Sequence, residues 1–368
     1  MKVFYLSSSA FSDNQMSLFK HLGKHHDITY AVIKPLRNSN YTKEELAGFC
    51  EMNNIRFEFF ELQYRFRDPR VIKTYLRVIK AIKKANPDII YFANFDQLYL
   101  NVLLLLVDRS KTIIGLHDVE NHSQTAFSFL GNLGKKVLVA NFWHFHTYSV
   151  TQQNLLKSRI PGKNVYNISL PLIDFGKVDP IPPKKGITRF LFFGNILYYK
   201  GLDLLLKPFI NTAAKYPGAE LIIAGRCADW AENYAPVVNG SRQIKHHIRF
   251  IDNKEIPVFF AQADYVVLPY RDTTQSGPLM IAFNYNIPVL VSKAQGFSEF
   301  TSEGETGYSF DAFDGNDIER VLETCMQSTP ADYNNLKIKL ASYVANHYSV
   351  EAIIEKYRLM FESVQSFR

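Results

Sequence analysis

Arg189-Phe190-Leu191-Phe192-Phe193-Gly194-Asn195-Ile196-Leu197-Tyr198-Tyr199-Lys200-Gly201-Leu202-Asp203-Leu204-Leu205-Leu206 is the stretch that decides the fold. After Arg189 its first residues show no polar alternation, and an unbroken apolar run is what a strand needs when both faces of its sheet are covered. The run stops at Gly194, a loop ends on Lys200-Gly201, and the leucine-rich segment that follows reads as a helix over 202–215. The same unit recurs downstream, with strands predicted at 219–224, 248–251, 265–269 and 289–291, helices at 258–263 and 278–284, and a helical tail. Upstream, the alternation gives strands at 2–6, 27–33, 57–60, 87–91, 112–116 and 145–149. Between the two series, residues 171–188 hold Pro180, Pro182, Pro183, Lys184, Lys185 and Gly186 without periodicity, which predicts a linker. An α/β chain of two Rossmann-like parallel-sheet domains facing a central cleft follows.

The totals agree with that reading. At 368 residues the chain exceeds what one hydrophobic core usually serves, and 47% hydrophobic with 21% charged residues is an ordinary globular composition. Cys50, Cys227 and Cys325 are odd in number and lack zinc-ligand spacing, so they read as buried reduced thiols. The longest apolar run, Val102 to Val107, is too short for a bilayer and reads as core helix, and Met1 to Leu6 turns polar at Ser7-Ser8-Ser9, too early for a secretory signal. A cytoplasmic protein is expected. The net charge of +7 is uneven: residues 1–170 carry 22 Lys and Arg against 13 Asp and Glu. Such an excess suits anionic partners, among them a membrane surface, and equally a solvated helix face. No nucleic-acid recognition module accompanies it, so no nucleic-acid partner is expected.

In open parallel sheets, ligands sit beyond the carboxyl ends of the strands. After Phe193, Gly194 allows close backbone approach and Lys200 can present an ammonium to phosphate, though alone it also reads as a surface lysine before a turn. After Pro269, Thr274-Gln275-Ser276-Gly277-Pro278 leads into a helix, a pattern that suits an anion at the helix N-terminus and equally an ordinary cap by Thr274 or Ser276. In the first half, His117 follows a strand end, with Asp118, Glu120 and His122 close behind as acceptor-positioning candidates. The first loop contributes Ser9 and Asn14 as weaker acceptor candidates; it also reads as a helix start capped by Ser12 or Asp13.

These residues carry a resemblance. Gly194, Asn195 and Lys200-Gly201-Leu202-Asp203-Leu204-Leu205, Leu221-Ile222-Ile223-Ala224-Gly225, Asp264 through Arg271, Thr274-Gln275-Ser276-Gly277, Ile287-Pro288-Val289-Leu290-Val291 and Gly304-Glu305-Thr306-Gly307-Tyr308 follow in the order and spacing of the retaining GT-B glycosyltransferases of group 1, family 4. The resemblance implies a GT-B fold: an acceptor domain over 1–172, a linker over 173–188, a nucleotide-sugar domain over 189–347, and a C-terminal helix over 348–368 crossing back to the first domain. It implies that Lys200 contacts the donor diphosphate, that the backbone at Ser276 and Gly277 holds phosphate with Gly194, Asn195, Thr274 and Gln275 nearby, that Glu299 binds donor hydroxyls, and that His117 is the active-site histidine. Glu299 otherwise reads as a glutamate at a helix N-terminus. No two aspartates are spaced as Asp-x-Asp, so no metal is expected, and the only cofactor-like molecule is the donor, a UDP- or GDP-sugar.

The sequence also departs from the family. The glutamate pair many relatives carry falls at Thr273 and Ile281, as in the Gln-Ser-Gly variant, and the arginine of the earlier loop is missing, which leaves Lys200 as the only clear cation. The expected activity is a retaining hexosyl transfer to a glycan or lipid-linked acceptor in bacterial surface polysaccharide biosynthesis, at the inner face of the cell membrane. The alternatives are a nucleotide-sugar 2-epimerase of the same fold and a degenerate binding protein. Tyr64-Arg65-Phe66-Arg67-Asp68-Pro69-Arg70 interleaves cations with aromatics and predicts peripheral contact with anionic membrane.

Overall fold

In a computed structural model, described over residues 1–36, 40–93, 97–119, 128–178 and 186–367, every strand pairing is parallel. The first sheet comprises β1 (Lys2–Ser8), β2 (Asp27–Lys34), β3 (Arg56–Glu61), β4 (Ile89–Ala93), β5 (Thr112–Leu116), β6 (His144–Thr147) and β7 (Asn164–Asn167). Their spatial order is β3-β2-β1-β4-β5-β6-β7. Successive side chains serve opposite faces: Val3 and Tyr5 join Ile28, Tyr30 and Val32 in one cluster, while Phe4 and Leu6 join Ala31 and Ile33 in another. Both faces being covered explains the unbroken apolar runs.

The second sheet holds β8 (Thr188–Phe193), β9 (Ala219–Ala224), β10 (Ile244–His247), β11 (Tyr265–Leu268), β12 (Val289–Ser292) and β13 (Gly307–Phe310), ordered β10-β9-β8-β11-β12-β13. The chain divides into two compact units, 1–171 with 350–368 and 172–349. The last helix, Val350–Ser366, therefore returns to the first unit, where Ile353, Ile354, Tyr357, Met360, Phe361 and Val364 recur at helical spacing and are buried with Val3, Tyr5 and Tyr91.

Three expectations need correction, and two strands went unpredicted. The strand predicted at 248–251 is instead Ile244–His247. Only Ile244 of that edge strand is buried, so Lys245, His246 and His247 gave no apolar run, while Phe250 lies exposed and Arg249 pairs with Glu255. The short edge strands β7 and β13 had no such run either. Val102 to Val107 is no core helix: Leu98–Leu103 gives way to a 3-10 turn at Leu104–Leu106, and Val102 and Leu106 are exposed. Cys227 is half-buried rather than buried, its thiol donating to Asp229. Among the described residues, no helix is long and apolar enough to cross a membrane.

Candidate functional site

The strand order of each sheet reverses direction once, between β1 and β4 and between β8 and β11. A parallel sheet opens a crevice at such a point. In the second unit the loops after β8 and β11 meet there. A Cβ on Gly201 (φ +65°) would fall 2.0 Å from the Pro269 carbonyl oxygen, so only glycine lets the two backbones touch. Arg271 N–H donates to the Tyr199 carbonyl at 2.7 Å. The Arg271 guanidinium forks onto both carboxylate oxygens of Asp203, at 2.8 and 2.5 Å, and lies 4.0 Å over the Tyr198 ring. This clamp fixes the shape of the lysine loop.

Lys200, read from sequence as a surface lysine or a phosphate ligand, is buried at 7% exposure. Its ammonium lies 5.6 Å from the centre of the Tyr270 ring, and no carboxylate pairs with it among the described residues. Burial lowers its pKa to about 8. A Cβ on Gly194 would sit 2.8 Å from Lys200 Nζ and 3.7 Å from Pro278, so the structure brings Gly194, Lys200 and the start of the helix Gly277–Asn284 together. That helix is capped by Ser276, whose buried hydroxyl accepts the Leu279 N–H at 3.3 Å. Capping and proximity to the lysine coexist, so the two sequence readings of Ser276 do not compete. Thr273, at one of the missing glutamate positions, is buried and donates to the Gln275 carbonyl at 2.9 Å, which shapes the turn holding Thr274 and Gln275.

Asn195 is exposed beyond β8. Glu299 is half-buried at the C-cap of the short helix Gln295–Ser298, so it does not serve a helix N-terminus. The sequence reading missed Arg226. It follows β9, its carbonyl accepts the Ile196 N–H at 2.7 Å, and its exposed guanidinium lies 4.3 Å over the Phe250 ring. Lys200 is therefore not the only cation on these loops. The signal was its position directly after Ala224-Gly225 at a strand end.

In the first unit, His117 follows β5, half-buried, with its ring stacked 4.1 Å from Phe11 and 4.5 Å from Tyr148. Burial, with His146 and Lys135 nearby, lowers its pKa to about 3 and keeps the ring neutral. Behind it lies a buried polar cluster. His146 Nε2–H donates to the Ile168 carbonyl at 3.0 Å, which leaves Nδ1 to accept the Tyr91 hydroxyl, and that hydroxyl lies 3.2 Å from Tyr148. Asp118 offers its carbonyl to Lys135 at 3.0 Å.

Ser9 is fully buried in the 3-10 turn Ser9–Phe11, which Phe11 ties to His117. Asn14 is half-buried on the helix Ser12–Leu22. Neither Ser12 nor Asp13 caps that helix: Ser8 caps the 3-10 turn, Ser12 bonds the Tyr30 hydroxyl at 2.9 Å, and burial raises the Asp13 carboxyl to about 6 despite its bond to Tyr41. Glu120 and His122 lie outside the described residues. Among the described residues, no three His, Cys, Asp or Glu side chains gather as a metal site.

With this geometry the similarities to known proteins acquire a location. Residues 187–328 match the family described as Glycosyl transferases group 1. The matched residues lie in the second unit. The chain is 24% identical to an uncharacterized glycosyltransferase of Haemophilus influenzae over 63% of this chain and 66% of that one, just under two thirds of its length. It is 22% identical to an uncharacterized 41.2 kDa protein in the cps region of Klebsiella pneumoniae over 78% of this chain and 82% of that one. The crystal structure of Anabaena HepE in complex with UDP and glucose superposes with a TM-score of 0.73 at 15% identity, covering 99% of this chain and 100% of that one. A putative UDP-N-acetylglucosamine 2-epimerase from Listeria monocytogenes gives 0.64 at 14% identity, over 99% and 97% of the two chains. The fold is thus GT-B: two parallel-sheet α/β domains.

Proposed function

We propose that this chain is a retaining hexosyltransferase that moves a sugar from a nucleotide-diphosphate sugar to a glycan or lipid-linked acceptor. The observation that carries the reading is Lys200, a buried cation without a carboxylate among the described residues, beside Gly194 and a helix start at the switch point of the second sheet. A protein tolerates such a charge where an anion is to be met. The diphosphate would lie against Lys200, Gly194 and the backbone at Ser276 and Gly277, with Asn195, Thr274, Gln275 and Glu299 around the nucleotide and sugar. Arg226 adds a second cation. Leaving-group charge is then met by an ammonium and backbone dipoles, with no metal required of the site.

The two glutamate positions of many relatives are Thr273 and Ile281 here, so a same-face course without a glutamate nucleophile at either position is the proposed mechanism. The bond from the anomeric carbon to phosphate breaks, the acceptor oxygen bonds that carbon from the same side, and the acceptor proton passes to the departing phosphate. His117, neutral and at a strand end of the first unit, is the proposed active-site histidine, with Asp118, Glu120, His122, Ser9 and Asn14 as acceptor-side candidates. UDP is the first donor nucleotide to try, since HepE is described with UDP and glucose. The cps-region relative fits a bacterial surface polysaccharide setting.

Contact with an anionic membrane face belongs to the same proposal. The helix Ile72–Ala85 exposes Lys73, Arg77, Lys80, Lys83 and Lys84 beside Leu76, and the segment before it exposes Arg65, Phe66 and Arg67. Thermal-shift measurements with UDP, GDP, ADP and their sugars, on wild type and Lys200→Ala, test the core of the reading. A nucleotide-selective shift lost in the variant is expected, and NMR of the product anomer then reads retention. Absence of any nucleotide shift would leave a degenerate binding protein, and donor conversion without acceptor would favour the 2-epimerase.

A further inference from the structure

Arg271, which follows β11, holds the chain on both sides of Lys200. Its main-chain N–H donates to the Tyr199 carbonyl at 2.7 Å and its guanidinium to the Tyr198 carbonyl at 2.8 Å. The same guanidinium forks onto Asp203 at 2.8 and 2.5 Å and covers the Tyr198 ring at 4.0 Å. One residue thus fixes positions 198, 199 and 203, and Lys200 lies between them. The segment it fixes is otherwise weakly made. Tyr198–Lys200 is a single 3-10 turn, and the amides at its end reach only their neighbours, Lys200 N–H to the Leu197 carbonyl at 2.9 Å and Gly201 N–H to the Tyr198 carbonyl at 3.1 Å. A buried ammonium gains by moving into water, and burial is the cause of the lowered Lys200 pKa. A lone turn is poorly suited to keep such a charge dry. The fork supplies what the turn lacks: the Arg271 side chain is only 14% exposed, and a planar guanidinium on a carboxylate is both charge-assisted and directional.

We infer that Arg271 and Asp203 are positioning residues, whose fork keeps the lysine turn in place so that the Lys200 ammonium stays beside Gly194 and the start of the helix Gly277–Asn284. Use of the held ammonium for a donor diphosphate rests on the transferase reading; the holding does not. A lysine at position 271 would keep the charge and lose the fork, so it would not replace the arginine.

The experiment is a double-mutant cycle between Arg271 and Lys200 on the full chain, with two readouts. The first is the titration of Lys200, followed by NMR of its ε-methylene group in isotope-labelled protein and assigned by its absence in Lys200→Met. The midpoint is expected near pH 8 in wild type and at least one pH unit higher in Arg271→Gln, Arg271→Lys and Asp203→Asn, because a released amine is hydrated. The second is UDP affinity by calorimetry at pH 7. Arg271→Gln is expected to weaken it at least tenfold in the wild-type background and to change nothing further in Lys200→Met, since a positioning residue acts through the group it positions. Asp203 is the more exposed partner, so Asp203→Asn carries the test should the Arg271 variants fail to fold, which circular dichroism and melting check. A folded Arg271→Gln or Asp203→Asn protein whose Lys200 midpoint stays near pH 8 overturns the inference. Equal loss of UDP affinity from Arg271→Gln with and without Lys200 does the same. A midpoint that moves as expected in a protein that binds no UDP leaves the positioning standing and removes the transferase reading.

Discussion

At the carboxyl end of the second sheet a lysine is buried with its charge unmatched by any carboxylate among the described residues, whereas the buried titratable groups of the first sheet are held neutral. Lys200 is lowered to about 8, so at pH 7 it is still mostly an ammonium. His117 and His146 are lowered to about 3 and about 4, so both rings are uncharged throughout the physiological range. Burial is the main cause in each case. The same physical operation gives opposite charge states because lysine starts far above neutrality and histidine close to it. On the proposed reading, the ammonium of the second unit would meet the donor's anion and the neutral rings of the first would meet sugar hydroxyls.

The largest effect should come from Lys200→Met. Loss of the ammonium is expected to weaken UDP binding by about a hundredfold, the scale of a charge-assisted hydrogen bond and its field. The apo fold should move the other way. A lysine whose folded pKa lies below its unfolded value of 10.5 penalises the folded state fully below about pH 8, and the penalty fades as pH rises toward 10.5. Removing it should stabilise the unliganded protein at pH 7 by up to about 3 kcal/mol. Calorimetric melting at pH 7 and pH 10 checks both the gain and its disappearance. A variant that loses UDP binding and also melts lower at pH 7 would break the comparison.

On the other sheet, His117→Ala should lower kcat by roughly a hundredfold, at the lower end of what a positioned polar group contributes, while the UDP thermal shift stays intact. Because the ring is already neutral, wild-type kcat should show no histidine titration between pH 5.5 and 8. A kinetic step near pH 6.5 that vanished in the variant would show His117 to be charged in use. Asp13 offers a smaller test nearby. Its carboxyl is raised to about 6 by burial, so the protonated form suits the fold, and the associated stability is lost as pH rises through 6. Asp13→Asn should therefore melt higher than wild type at pH 8, by on the order of 1 to 2 kcal/mol, with the difference closing as pH falls toward 4.

The two ends also differ in how far they could be read beforehand. The apolar runs at Val3 to Leu6 and Phe190 to Phe193 announce strands covered on both faces, whereas the return of the tail helix to the first unit is implied only by the family resemblance. The depth of Lys200 does not show. A Lys-Gly pair is an ordinary surface turn until Gly201 tucks beneath the Pro269 carbonyl and Tyr270 closes over the amine, and both of those residues lie some seventy positions away in the chain. The His117 sandwich likewise needs Phe11 and Tyr148 from two other loops. Strand β10 escaped because an edge strand with one solvated face can be written as Lys-His-His. Arg226 was passed over because a single arginine after a glycine has no pattern around it.

The smallest effect on the fold itself concerns where each unit keeps its cations. The second unit buries Lys200, and Arg189 against Glu220, and the first buries Lys135; the first also exposes cations along the helix Ile72–Ala85, which contains no acid, and along the segment before it, where Asp68 is already paired with Arg70. An exposed cation costs the fold almost nothing, so reversing Lys73, Arg77 and Lys80 to glutamate should shift stability by no more than about 0.5 kcal/mol. It should leave the UDP shift untouched, because the proposed diphosphate site lies in the other unit. Near an anionic bilayer each such cation contributes about 1 kcal/mol, so the triple reversal should reduce co-sedimentation with phosphatidylglycerol vesicles at low salt by at least tenfold. Wild-type binding should fall in the same way as salt screens the surface. If the wild-type protein ignored the anionic lipid, or if Lys200→Met weakened vesicle binding as much as the triple variant, surface and buried cations would not be doing separate work, and the contrast between the units would fail at its outermost point.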